Sequence, residues 1–327
     1  MLRCIQRSET DPYYNLAAEE YLLKTATVNT FMTWRNEPSV IIGKHQNTSR
    51  EINHTFVDSL HLPVIRRITG GGTVYHDLGN INYSFIYTDR KENLVDFRFF
   101  TKPVILFLKE LGLDASFEGK NNITIEGLKV SGNSAHIHRN KVLHHGTLLF
   151  NTDLDKLEKA IAGREEHYND KSVRSVRAAV TNISGLLKDE TTLEGFIHMF
   201  RQFIINYFPG AYRDELTSHE KESILRLAEE KYKTNVWNFG YSPEYRYDDD
   251  FETPEGKFSV SLIVKDGLIR KAEIIGPEKH IEISRRLSEI LNDTFHEKKS
   301  ISERLKKVTF ASINEEQLMN QIIRYLF

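Results

Sequence analysis

Apolar positions recur along this chain either as one-sided stripes or as short runs, and the two patterns predict different elements. Asn15–Lys24 (NLAAEEYLLK) consists of strong helix formers after Asp11-Pro12, a helix-start pair, and predicts a helix. Thr101–Leu111 places Val104, Leu106, Phe107 and Leu111 on an apolar stripe. Thr192–Phe208 does the same with Leu193, Phe196, Ile197, Phe200, Ile204 and Tyr207, and Leu154–Ala162 is a further helical segment. Short runs at Thr30–Trp34, Ser39–Gly43, Pro63–Ile68, Ile123–Ile125, Leu128–Ser131 and Leu143–Phe150 predict strands, as does the alternating, aromatic-rich Asn80–Tyr87. Near the C-terminus, Lys257–Val264 and Leu268–Ile275 flank Lys265-Asp266-Gly267, a hairpin signal, and helical patterns follow at Lys279–Leu291 and Asn314–Phe327. Strands and helices mix without regular βαβ alternation, which predicts an α+β fold. The like-charge run Asp248-Asp249-Asp250 reads as a linker edge. A boundary near residue 246 then gives a larger domain, 1–246, and a small α+β accessory domain, 247–327.

Composition narrows the function classes. The chain has 327 residues, 39% hydrophobic and 28% charged, with a net charge of −2. No global positive field draws it to nucleic acid or an anionic membrane, and no run approaches the length of a membrane helix. A single cysteine, Cys4, excludes an internal disulfide and a Cys-x-x-Cys zinc pattern. With no signal peptide, the expected compartment is the cytoplasm.

Four constellations carry candidate chemistry. Arg66-Arg67-Ile68-Thr69-Gly70-Gly71-Gly72-Thr73-Val74-Tyr75-His76-Asp77 combines two permanently charged forks with a backbone free of Cβ atoms. That suits an anion cradle, and it also suits a plain turn between two strands. Lys129, in Leu128-Lys129-Val130-Ser131-Gly132, is either a surface lysine on an edge or a site cation. His136-Ile137-His138 and His144-His145 would suit a transition metal or ordinary hydrogen bonding; the cluster contains neither cysteine nor carboxylate. Ser172–Asn182 is a small-residue loop bearing Arg174 and Arg177, a connector or a lid.

In order along the chain, NLAAEEYLL (15–23), RRITGGGTVYHDLGNINYSF (66–85), KVSGNSAHI (129–137), HHGTLLFNTDLDKL (144–157) and SVRAAVTNI (175–183) resemble the lipoate–protein ligases. The Trp237–Gly240 segment and a small C-terminal domain follow where that family has them. The resemblance implies the mixed-sheet catalytic fold shared with biotin ligases (class II biotin/lipoyl synthetase-like) plus an accessory domain. It implies a two-step reaction: lipoate attacks the α-phosphate of ATP to give lipoyl-adenylate, and a lysine of an apo lipoyl domain then displaces AMP. The acceptors it implies are E2 subunits of 2-oxoacid dehydrogenases and the glycine cleavage H protein, with the enzyme a monomer.

By motif position, Lys129 is the catalytic cation, touching both the carboxylate and the phosphate. Arg67, Gly72, Thr73, Val74, Tyr75, Asn121, Thr147 and Arg177 serve ATP. Arg67, Gly70, Gly71, His76 and His145 serve lipoate, and Asn122 faces the Mg²⁺ that accompanies the nucleotide. Two positions depart from the family pattern: Asn122 stands where an aspartate is usual, and Ala178-Ala179 where Ser-Arg is usual. The implied alternatives are a lipoyltransferase that uses preformed lipoyl-adenylate and an octanoyl or lipoyl acyltransferase. Many acyltransferases of that superfamily use a cysteine, and Cys4 lies outside every motif.

Overall fold

The computed structural model describes residues 1–88, 95–310 and 312–327. The chain forms two units: Met1–Lys44 with Pro63–Glu158 and Val176–Lys233, and His45–Leu62 with Lys159–Ser175 and Thr234–Phe327. The second unit thus gathers two internal segments with the C-terminal region, a division that linear composition does not signal.

The strands of the first unit are β1 (Leu2–Gln6), β2 (Asn29–Trp34), β3 (Ser39–Ile42), β4 (Val64–Arg66), β5 (Val74–His76), β6 (Asn80–Tyr87), β7 (Ala115–Glu118), β8 (Asn122–Ile125), β9 (Leu128–His138) and β10 (Lys141–Leu149), with Ala211–Asp214 at the far edge. Eight of these strands form one mixed sheet, in which Ala211–Asp214 is followed by β1, β2, β6, β10, β9, β8 and β7. Strand β1 runs parallel to both of its neighbours, and β2, β6, β10 and β9 pair antiparallel. A small sheet places β3 between β4 and β5.

Helix α1 (Pro12–Thr25) starts where Asp11 accepts from Tyr13 and Tyr14 main-chain N–H groups, and Pro12 needs no N–H partner there. Helix Leu193–Tyr207 carries its predicted stripe, and in Phe97–Glu110 the buried face runs through Phe100, Val104, Phe107 and Leu108, with Leu108 in place of the expected Leu106. The two helices cover an aromatic core of Phe31, Phe85, Phe100, Phe107, Phe196 and Phe200.

Alternation along β6 separates core from site. Ile81, Tyr83 and Phe85 enter the apolar core, while Asn82 and Ser84, equally buried, belong to the opposite face. Polar residues at full burial need partners. Helix α1 supplies one, since Ser84 donates to Glu19 at 2.6 Å.

In the second unit, Tyr168–Asp170, Tyr245–Thr253, Gly256–Lys265 and Leu268–Ile275 form a four-stranded antiparallel sheet. It packs with helices Ile281–Leu291, Lys298–Leu305 and Ile313–Ile323 around Tyr247, Leu262, Leu287, Met319 and Ile322. The expected hairpin is present, with Asp266 and Gly267 both at positive φ, as a type I′ turn requires. Asp248-Asp249-Asp250 lies inside a strand and not at a linker edge. Alternation leaves Asp248 and Asp250 exposed and buries Asp249, which pairs with Arg164 at 2.9 Å. Charge alone hid that strand because only every second residue meets the core. The highly charged helices Ser218–Leu227 and Lys298–Leu305 also escape a hydrophobic pattern.

Candidate active site

The triple glycine joins β4 to β5, and Arg67 organises it from behind. Its guanidinium lies in the first unit at 5% exposure. Nε donates to the Thr69 hydroxyl at 2.9 Å and Nη1 to the Ile41 carbonyl at 3.1 Å. Nη2 donates to the carbonyls of Gly70 at 2.6 Å and Gly72 at 2.7 Å. Four of the five N–H donors of an arginine are therefore occupied. Burial lowers its pKa to about 10, partly offset by the Glu19 carboxylate.

This brace decides what the loop presents. In a trans peptide the C=O and the following N–H point opposite ways. Turning the Gly70 and Gly72 carbonyls onto Arg67 turns the N–H groups of Gly71 and Thr73 outward. The N–H groups of Gly70, Gly71 and Gly72 have no hydrogen-bond partner among the described residues. Gly71 sits at φ +89°, and a Cβ there would lie 3.1 Å from Arg67 Nη2, so a side chain is excluded twice over. Ser134 adds a donor to the Gly70 carbonyl at 2.9 Å.

Lys129 begins β9 and is half-buried. Its ammonium makes no hydrogen bond or ion pair among the described residues. Burial, and then the nearby Arg67 charge, lower its pKa. The side chain lies over Gly132, where a Cβ would come within 3.0 Å of Nζ. Gly132 N–H donates to the Thr147 hydroxyl at 3.2 Å, which brings Thr147 to the same place. The main chain of Lys129 also anchors the end of the arginine loop: Lys129 N donates to Ala179 O at 2.9 Å, and Thr181 N to Lys129 O at 3.1 Å.

The other predicted residues divide. Asn121 is a clamp, donating from Nδ2 to the Asn133 carbonyl at 2.5 Å. Asn122 pairs with Gly132 across the strands, and its side chain has no hydrogen bond among the described residues. Thr73, Val74 and Tyr75 run into β5; the Tyr75 ring is buried, its pKa raised to about 12 by desolvation and then Asp77. Any contact of Tyr75 with a nucleotide therefore comes from its main chain. Arg177 is exposed, without an ion pair among the described residues.

The histidines part company because successive strand residues face opposite ways. His144 enters the core, stacked on Phe100 at 4.8 Å, and burial holds it neutral. His145 faces the site, with Nε2 2.8 Å from the Thr69 hydroxyl and Nδ1 2.9 Å from Glu19. His76 is held neutral by burial and then by the nearby Arg67 charge, its pKa lowered to about 3. Asn36 meets its Nδ1 at 3.0 Å, and its buried Nε2 has no partner among the described residues. Among the described residues no group of three or more His, Cys, Asp or Glu side chains could hold a metal ion. Sequence reasoning assigned no role to Glu19, Thr69, Ser84 or Ser134. The available signal was the Glu19-Glu20 pair in an otherwise apolar helix.

Comparison with known proteins agrees with this geometry. Residues 11–205 match the lipoyl protein ligase A/B catalytic domain, and 242–322 match the bacterial lipoate protein ligase C-terminus. Lipoate–protein ligase 1 of Staphylococcus aureus is 35% identical over 95% of this chain and 96% of its own. Two solved structures share the fold. A lipoate-protein ligase A bound with ATP has a TM-score of 0.63 at 24% identity, covering 73% of this chain and 98% of its own. A bi-partite lipoate protein ligase of Thermoplasma acidophilum, studied with its E2 lipoyl domain, has 0.62 at 23%, covering 73% and 96%. With an expected α+β mixed-sheet fold, the glycine loop braced by Arg67 and a whole-length relative of the same kind, this chain belongs to the lipoate–protein ligase family.

Proposed function

We infer that the protein is an ATP-dependent lipoate–protein ligase that makes lipoyl-adenylate and transfers the lipoyl group to a lysine of an apo lipoyl domain. The observation that carries this reading is the outward Gly71 N–H, flanked by the Gly70 and Gly72 N–H groups that have no partner among the described residues, in the same unit as a half-buried Lys129 ammonium that has none either. Activation brings two anions, a carboxylate and an α-phosphate, into contact. At 4 Å their repulsion is about 4 kcal/mol at an effective dielectric of 20. A cation between them removes that barrier, and charge moving onto the departing pyrophosphate is met by preorganised donors.

In this reading Lys129 bridges the carboxylate oxygen and the α-phosphate, with Gly72, Thr73, Val74 and Tyr75 lining the nucleotide through main-chain groups. Thr147 and Asn121 approach the phosphates, and Arg177 closes on them from its exposed loop. Gly70, Gly71, His76 and His145 border the lipoate, with the His76 Nε2–H available to an acceptor. Arg67 acts chiefly through the loop it braces, leaving one Nη1–H for ligand. The lipoate oxygen forms a bond to phosphorus as pyrophosphate leaves; the acceptor amine then forms the amide as AMP leaves and gives up its proton.

Among the described residues no side chains form a magnesium cage. Asn122 offers one neutral amide, and Asp77 is occupied by the N–H groups of Gly79, Asn80 and Asp153. Magnesium therefore enters as part of the MgATP substrate, held by phosphate oxygens. The acceptors this reading calls for are E2 lipoyl domains and the glycine cleavage H protein, met by a monomer in the cytoplasm, where ATP is available. No helix of the described residues is long and apolar enough to cross a membrane.

The test is incubation with ATP, Mg²⁺ and lipoate. Lipoate-dependent ATP–pyrophosphate exchange and lipoylation of an apo lipoyl domain are expected. Lipoylation from synthetic lipoyl-adenylate without any exchange would replace the ligase with a transferase.

A further inference from the structure

A continuous line of buried polar groups runs from β2 through α1 to the glycine loop, and its polarity can be read from one end. Trp34 Nε1–H can only donate, and does so to Ser84 Oγ at 2.9 Å. Ser84 donates in turn to Glu19. Glu19, 1% exposed, accepts, and His145 Nδ1 lies 2.9 and 3.0 Å from its two oxygens. At the far end Arg67 Nε donates to Thr69 Oγ1, so the Thr69 hydroxyl hydrogen remains for His145 Nε2. Glu19 can only accept and so puts a proton on Nδ1, while a Thr69 hydroxyl hydrogen given to Nε2 requires a lone pair there; the two contacts together describe the Nδ1–H tautomer.

We propose that Glu19 is a positioning residue for lipoate activation: through His145 and the Thr69 hydroxyl it holds Arg67 against the Gly70 and Gly72 carbonyls, so the Gly71 N–H faces outward before ligand arrives. Trp34, Ser84 and Thr69 are all nearly fully buried, so water offers no substitute partners. Glu19 also supplies negative charge close to the buried Arg67.

The proposal rests on the ligase reading for its kinetic consequence but not for its structural one. In the ligand-free wild-type protein, nitrogen NMR of the His145 ring should show the neutral Nδ1–H tautomer alone. An Nε2–H tautomer or an imidazolium at neutral pH overturns the proposal, whatever the enzyme's reaction. Glu19→Gln keeps the shape and removes the charge. It should leave His145 as a tautomer mixture and lower kcat of lipoate-dependent exchange by about 10²-fold, the scale of a displaced reacting geometry. Thr69→Val cuts the relay one step later. If the residues act as a unit, the double variant is no slower than the slower single variant; multiplicative losses overturn the relay. Unchanged exchange with an unchanged tautomer in Glu19→Gln overturns it as well. Absence of exchange in the wild-type protein counts against the ligase reading and leaves the tautomer measurement to judge the relay.

Discussion

Replacing Lys129 with methionine should move activity and stability in opposite directions. The ammonium is half-buried, beside the Arg67 charge, and has no acidic partner among the described residues. Methionine keeps most of the aliphatic stem that lies over Gly132 and removes the charge. In the ligase reading, activation loses the cation between carboxylate and phosphate. The roughly 4 kcal/mol of repulsion it would offset corresponds to about 10³-fold in rate, and removal of one preorganised group costs about 10²–10³. The ligand-free protein, by contrast, loses a group whose charged form the fold disfavours. The sign follows from linkage: burial and Arg67 lower the folded-state pKa, so the unfolded chain binds more protons and the charge destabilises the fold below the folded pKa. That cost fades as pH rises through the folded value toward the unfolded value. Thermal melts of both proteins between pH 7 and pH 11 should show the variant more stable at neutral pH, with the gap closing on the alkaline side. Pyrophosphate exchange should fall by about 10²–10³. Near-normal exchange, or a variant less stable than wild type at neutral pH, refutes the reasoning. Arginine should not rescue, because a planar fork does not fit a point-charge position above Gly132.

Three further outcomes are expected. Gly71→Ala should slow exchange and destabilise by about 1–2 kcal/mol, the cost of a left-handed backbone for an L-residue, since its Cβ also presses Arg67 Nη2; unchanged kinetics would detach the loop from the site. Gly146→Ala should destabilise more in chemical denaturation, by roughly 2–5 kcal/mol, through overpacking and a broken buried hydrogen bond. Its Cβ would fall 2.3 Å from Asn133 Oδ1 and 2.5 Å from the Tyr83 hydroxyl, two groups bonded to each other. In the second unit, Asp170→Asn should cost about 1–3 kcal/mol, because it removes one of two buried carboxylates from Arg50, Asp170 at 2.8 Å, and leaves Glu51 at 2.7 Å; a calorimetric change under about 0.5 kcal/mol would count against that pair.

The elements and the candidate anion loop were legible in the sequence because their causes are local. Asp11-Pro12 caps α1 with its own neighbours, Asp266-Gly267 turns on its own φ angles, and three glycines lack Cβ atoms wherever they stand. The sequence also pointed to Lys129 by its motif, but not to the fact that its ammonium lies over Gly132. What only the tertiary structure decided depends on groups far apart in the chain. Arg67, expected to grip phosphate, is turned onto the loop's carbonyls because a buried guanidinium takes whatever acceptors surround it. Adjacent His144 and His145 are sent to opposite faces by β10, one to Phe100 and one to Glu19, 126 residues away. A helix pattern shows that Glu19 is out of place among apolar neighbours; only packing α1 against β6 and β10 supplies the donors that make its burial affordable.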